Sequence, residues 1–501
     1  MIRSIVLRRP LLLVLATFGL LVLVNLLCTA FFPSQFSSIA KAQRDSTENA
    51  ALTKPPQSIQ SPINSEHVDP SITADGMPFF PFRASTDNRK LDLDIFQDSK
   101  ACGGCHRDIF KEWEGSVMAS AWQDPIYREI LKRASEATRG ALDNFCIGCH
   151  SPIGLTTGLA TAKGLEAKIA EDGVGCESCH NISAFTGIGN GSFVLTPQKN
   201  GHPLKFGPRK DAESTFHDSA YSDLHTKSEF CGTCHNVTHP FNQLPIEQTY
   251  DEWRDSPYNA KGIHCQDCHM TPGPGVKGVP GKAAPMGKER DQVFSHSFSS
   301  ANSTLLEHFG KKEMSERARD MLRSAATIEF LESPSRIRSG EPIKVSLRVN
   351  NTGAGHKLPT GFPEGREVWV DFKVVDADGR EVYRLGAIRD GHTEKGTKSF
   401  KAILGNSKGE VVDINVWEAD RLLSDTRILP YGHADVEYAF TVDDRVRGPL
   451  LLRADLYYWA SPQHIVDELL GKGTLTVDIV RMGSVSKEIQ LASTYSTERG
   501  R

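Results

Sequence analysis

Ten of the eleven cysteines in this chain fall in Cys-x-x-Cys pairs, and a histidine follows each pair at once. The five segments are Cys102-Gly103-Gly104-Cys105-His106, Cys146-Ile147-Gly148-Cys149-His150, Cys176-Glu177-Ser178-Cys179-His180, Cys231-Gly232-Thr233-Cys234-His235 and Cys265-Gln266-Asp267-Cys268-His269. Two thiols three positions apart can both bond to one edge of a porphyrin, and the next residue then lies beneath the iron. The spacing predicts five covalently attached haem c groups. It assigns the ten cysteines as anchors and His106, His150, His180, His235 and His269 as proximal ligands. Disulfides in an exported chain give no reason for the histidine. Zinc ribbons expect about 15 to 20 residues between pairs, unlike the longer, irregular spacings here.

Sixth ligands must come from elsewhere, and a carrier closes both axial positions whereas an enzyme leaves one open. Non-motif histidines near or after the motifs are His202, His217, His225, His239, His264, His296, His308 and His356. The count suffices for full coordination, so some of these have other roles. His392, His433 and His464 lie in a β-rich part and are not expected to ligate. Phe110, Glu114, Met118 and Trp122 recur every four residues, so Met118 reads either as a core residue on a helix face or as an axial ligand. Glu112-Trp113-x-x-Ser116 after the first motif echoes Glu252-Trp253-x-x-Ser256 before the fifth. The echo suggests aromatic walls at related haem edges, or a coincidence in a short match.

Five haems within about 170 residues leave too little polypeptide to insulate each cofactor in a conventional core. The cofactors must form much of that core and lie close enough to exchange electrons. Residues 91–325 are therefore expected to form a mainly α and irregular multihaem domain. Gly and Pro crowd the stretch from Thr271 to Gly287, a loop by composition, and Ser303 to Ala325 carries a helical apolar face. Residues 326–485 read as short strands: Ile343 to Val349, Glu367 to Val375, Glu381 to Arg384, Val411 to Trp417, Val436 to Val442, Leu450 to Tyr458 and Thr474 to Val480. That count suggests an immunoglobulin-like β-sandwich. Residues 486–501 form a tail.

Residues 1–42 carry Arg3, Arg8 and Arg9 before an uncharged stretch from Pro10 to Phe32, an export signal that is either cleaved or long enough to remain as a membrane anchor. Residues 43–90, rich in Ser, Pro, Asn and Gln, read as a flexible linker. The expected location is periplasmic or otherwise extracytoplasmic. Lys plus Arg at 58 against Asp plus Glu at 62 gives a net charge of -4, without the basic excess of a nucleic-acid binder.

The region from about Ser99 to Gly379 resembles the multihaem cytochromes of the cytochrome c554 family. The resemblance rests on the first motif followed by Trp113-x-x-Ser116-x-Met118-Ala119, on Gly207-Pro208 with His217 downstream, on Phe230 to His235, on Thr249-Tyr250-x-Glu252-Trp253, and on Gly262 to Met270 followed by His296. It implies distal roles for His217 and His296, with His225 and His239 next. The position of Met118 is often His in that family and ligates there, so this chain either uses Met or departs from the pattern. Asn350 to Gly361 resembles the opening of a β domain that follows multihaem modules, and His356 within it either reaches a haem across the domain interface or bonds inside its own loop.

These readings favour an electron carrier between redox proteins or a quinol-linked membrane complex. The alternative is an oxidoreductase acting on a small nitrogen or sulfur compound at a five-coordinate haem. A third reading makes the β part a surface for assembly.

Overall fold

A computed structural model describes residues 90–492 apart from 166–167, 274–275 and 363–364. The export signal and most of the linker lie outside the described residues. Among those described, no helix is long and apolar enough to cross a membrane.

The cysteine-rich half is built from short helices, because each motif begins or ends one. Ser99–Gly103 and Ser228–Gly232 stop at the first glycine of their motifs, whereas Asp143–His150, Cys176–His180 and Cys265–His269 run through to the histidine. On a helix the i,i+3 cysteines share a face. The longest helix of the motif region, Pro125–Thr138, starts with Asp124 accepting from the Ile126 and Tyr127 amides and ends at Arg139 in the left-handed conformation. Of its buried face, Tyr127, Leu131 and Ala134, the first two join Trp122, Ile147, Ile153, Phe193 and Leu195 in a small core.

The four-residue periodicity through Met118 does not make one helix. The Arg107–Glu114 helix closes at Gly115, and Met118 opens a separate 3-10 turn, Met118–Ser120. The predicted helix from Ser303 to Ala325 is likewise two, Ser303–His308 and Lys312–Ala325, divided at Gly310, whose φ of +70° suits glycine. The Thr271 to Gly287 loop contains one short strand, Val279–Gly281, paired with Arg290–Val293.

Lys312–Ala325 runs directly into the first strand of the β half, Ala326–Glu332. That strand, Ile343–Asn351 and His433–Phe440 make one antiparallel sheet. A second sheet orders Arg336–Ile337, Ile479–Leu491, Leu450–Trp459, Glu367–Val375 and Glu381–Leu385, with Lys398–Phe400 also paired to Glu367–Val375. Alternation sets the facing surfaces. Ile343, Val345, Leu347 and Val349 of the first sheet meet Leu450, Leu452, Ala454 and Leu456 of the second in one core, each large side chain contributing about 1.5–3 kcal/mol by burial.

Two β predictions shift. Only Val411–Val412 of the Val411 to Trp417 run is a strand before a 3-10 turn at Val416–Glu418, and the last strand is Ile479–Leu491 rather than Thr474 to Val480. A helix, Gln463–Leu470, had too few turns to show in the pattern. It packs Ile465 and Leu469 on Ile126 and Ile130 of the long helix, which fixes the β half against the motif region.

Candidate functional site

The motifs surround one continuous cavity of about 2010 Å³, walled by all five motif histidines and largely apolar side chains such as Phe110, Trp113, Phe230 and Trp253. Its thiols meet between motifs. Cys102 lies beside Cys176, Cys149 beside Cys234, and Cys231 beside Cys265. Motifs far apart in sequence therefore converge in space, the first with the third and the fourth with both second and fifth.

All five motif histidines are oriented the same way. Nδ1–H donates to the Ala283 carbonyl from His106 (2.8 Å), to Ala121 from His150 (3.0 Å), to Phe206 from His180 (2.7 Å) and to Ser299 from His269 (2.6 Å). His235 instead donates to the Glu247 carboxylate at 3.4 Å. The four carbonyl bonds fix the tautomer that leaves the Nε2 lone pair for a metal. Burial pushes His150, His180 and His269 down, His269 to about 4, so these imidazoles are neutral near pH 7. His235 differs: burial opposes its charge, but the Glu247 bond prevails and raises it to about 9. The Tyr127 ring stacks on His150 at 3.6 Å and 2°, which sets that imidazole's plane.

The candidate sixth ligands divide by geometry. Imidazoles bound on opposite sides of one metal, with metal–nitrogen bonds of about 2 Å, place their ring centroids about 6 Å apart. His180 and His296 lie at 6.3 Å with planes 26° apart, and His269 and His356 at 6.4 Å and 20°. His296 Nδ1 donates to Phe294 O and His356 Nδ1 to Lys357 O, leaving Nε2 free in both. His217 donates from Nδ1 to Asp218 O and lies within electrostatic range of His106.

His225 is turned the other way, with Nε2 at 3.3 Å from Cys179 O and a buried Nδ1 that has no hydrogen-bond partner. His239 uses both nitrogens: Nδ1 accepts from the Phe241 and Asn242 amides, and Nε2 donates to Trp417 O. Met118 lines the cavity, and its carbonyl accepts from the Ala121 and Val174 amides. Of the remaining histidines, His264 accepts from the Ser228 amide at 3.3 Å, and His392 stacks on His464 at 3.6 Å.

His356 reaches the cavity from the β half on a tightly held loop. The Asn351 side chain donates to the His356 and Ile428 carbonyls and accepts from the Ala354 amide. Gly355 lies against Tyr258 and Trp253, where an added Cβ would stand 3.4 Å from the Tyr258 ring. Sequence reasoning missed Glu247, Tyr127 and the carbonyl acceptors. Glu247 is a buried carboxylate in a short strand, and only its partner explains it.

Residues 101–181 match the family model for "Cytochrome c554 and c-prime". A penta-heme cytochrome c552 from Thermochromatium tepidum shares the fold at a TM-score of 0.58 and 19% identity, over 79% of this chain and 99% of that one. The chain has the fold of a multihaem c-type cytochrome. The paired thiols and the uniformly oriented imidazoles of this cytochrome fit haem c, whose chemistry in such proteins is electron transfer. Two further structures overlap at TM-scores too low to describe the fold: Spo0M, a sporulation control protein from Bacillus subtilis (0.15, 12% identity, 34% of this chain and 50% of that one), and the CARDB domain of PF1109 from Pyrococcus furiosus (0.15, 10%, 33% and 94%). No curated protein matches the cytochrome.

Proposed function

We propose that this cytochrome is exported and carries five haem c groups that relay electrons between respiratory redox partners, either soluble redox proteins or a quinol-linked membrane complex. Haem c, when bound, supplies a reversible ferrous–ferric couple. The ten motif cysteines would hold it, and His106, His150, His180, His235 and His269 would ligate from one side. The observation that carries this reading is the shared orientation of those five imidazoles, each with Nδ1 tied to an acceptor. The thiol contacts between motifs support a continuous relay, because they bring attachment edges together.

His296 and His356 are the distal ligands opposite His180 and His269 in this reading, and His217 serves His106. His225 offers only Nδ1, and His239, engaged at both nitrogens, is left out of the ligand set. The β half, 326–485, is an immunoglobulin-like sandwich that shields the motif region and delivers His356. Residues 1–42 export the chain and anchor it if they are retained.

One observation favours the second reading, catalysis on a small nitrogen or sulfur compound. Among the described residues no imidazole faces His150 or His235 at the spacing of the other two pairs, which leaves Met118 and His225 as remaining candidates. Low-temperature electron paramagnetic resonance of the fully oxidised holoprotein, with iron quantified, separates the readings. Low-spin signals from every haem support the carrier. A stoichiometric high-spin haem would move the assignment to the enzyme.

A further inference from the structure

The Glu-Trp-x-x-Ser echo extends in space to two whole segments of the chain. Motifs one and four both read Ser-x-x-Cys-Gly-x-Cys-His, from Ser99 and Ser228, and no other motif has serine three residues before its first cysteine. Both serines are buried. Ser99 Oγ accepts the amide of Cys176, and Ser228 Oγ accepts that of Cys265, each at 3.1 Å. The first serine of each pair thus caps the helix of a partner motif, three after one and five after four. The thiols agree, with Cys102 on Cys176 and Cys231 on Cys265.

The echo supplies the wall between the partners. Gly103 packs under Phe110 and Gly232 under Tyr250, where an added Cβ would stand 2.6 Å from the ring in each case. Phe110 and Trp113 have centroids 5.6 Å apart at 40°, and Tyr250 and Trp253 are 5.6 Å apart at 44°. Trp113 Nε1 donates to Val174 O and Trp253 Nε1 to Ile263 O, in both cases the carbonyl two residues before the partner motif. Ser116 and Ser256 close the turn by donating to the Trp113 and Trp253 carbonyls.

The glutamates complete the match. Glu112 Oε2 accepts the amide of His296 at 2.7 Å, and Glu252 Oε2 accepts the amide of Lys357, next to His356, at 3.2 Å. His296 lies 6.3 Å from His180 and His356 6.4 Å from His269, in the second motif of each copy; His225 also stacks near His180, at 5.6 Å, but with Nε2 turned to Cys179 O.

We propose that segments 99–180 and 228–269 are two copies of one two-haem unit, and that Glu112 and Glu252 are its positioning residues, each holding the backbone at the distal histidine of the copy's second haem. The second motif, Cys146 to His150, is an insertion in the first copy. This inference rests on the haem reading above. A carboxylate is suited to the task because it accepts a backbone amide as a charge-assisted bond while its helix fixes its position. The copies differ in what holds the glutamate. Glu252 also accepts from Thr360 Oγ1 at 2.6 Å and from Arg427 at 2.7 Å, so the β half controls the second copy's distal histidine and leaves the first to the motif region.

The test uses haem-loaded full-length protein and low-temperature electron paramagnetic resonance, with carbon monoxide binding to the reduced form as a second readout. His296→Ala is expected to convert one haem from low to high spin. Glu112→Ala is expected to shift part of that same haem's intensity to high spin and open it to carbon monoxide. Glu112→Gln, which keeps an acceptor oxygen, restores the parent spectrum, and Glu114→Ala leaves it unchanged. The pair His356→Ala and Glu252→Ala gives the same result at a different haem; if Glu252→Ala does not mature, Thr360→Val gives a smaller change of the same kind. A high-spin haem in His296→Ala with a parental spectrum in Glu112→Ala overturns the positioning role and leaves the ligand reading standing. Low-spin spectra in both histidine variants overturn the ligand reading itself. A response in only one copy overturns their equivalence.

Discussion

Arg427 of the β half donates from Nη1 to Glu252 Oε1 of the motif region at 2.7 Å, and the two side chains are only 8% and 3% exposed. Arg427 also pairs with Asp425 at 2.8 Å, and Lys357 reaches the same Asp425 at 2.7 Å. A charged network thus crosses between the halves beside the loop that carries His356. Burial alone would raise Asp425, but Arg427 and Lys357 hold it well below the usual carboxylate range.

Removing Arg427 leaves Glu252 buried without its ion-pair partner and Asp425 with Lys357 alone. Arg427→Met is expected to destabilise the protein by about 3–5 kcal/mol near pH 7, read by chemical denaturation. Glu252 is already raised by burial, against the pull of Arg427, and the variant raises it further. A carboxyl whose folded pKa exceeds its unfolded value gives the folded chain more bound protons between the two, so its contribution favours folding as pH falls through that window. The deficit of the variant relative to the parent should therefore narrow on the acid side. A constant deficit across that range would remove Glu252 from the explanation.

Gly103 and Gly232 sit where a methyl group would strike Phe110 and Tyr250. Gly103→Ala and Gly232→Ala should each cost about 1–3 kcal/mol through overpacking. Phe110→Leu combined with the first, and Tyr250→Leu with the second, should recover part of that cost in a double-mutant cycle. Additive costs would show that the rings are not what forbids a side chain there.

Glu247 makes His235 the one motif histidine bonded to a carboxylate rather than a carbonyl. A carboxylate partner makes the imidazole a more basic ligand, and a more basic ligand favours ferric over ferrous iron. Glu247→Gln is expected to raise the potential of a single haem, on the order of 60 mV for a tenfold change in that preference in a one-electron couple. A redox titration with all potentials unmoved would contradict the role.

The five Cys-x-x-Cys-His segments and the change from helical to β pattern near Ala326 were legible because both are local. The Cys-x-x-Cys-His spacing is a chemical constraint within five residues, and strands such as Glu367–Val375 alternate or run apolar over their whole length. The approach of His296 to His180 and of His356 to His269 was not legible, since they lie 116 and 87 residues beyond their counterparts and only folding brings them near. The periodicity through Met118 misled because Gly115 ends the helix midway. The Glu-Trp-x-x-Ser echo was visible but weak. Its meaning lay in bonds to Val174, Ile263, His296 and Lys357, all remote from the box in at least one copy.

The most direct test of the central claim is an anaerobic reductive titration of the haem-loaded protein with a one-electron donor, with iron quantified in the same sample. The account predicts five irons and five electrons taken up per chain, all returned to a one-electron acceptor. Fewer than five covalently bound haems, or an iron that neither gains nor returns its electron, would contradict it.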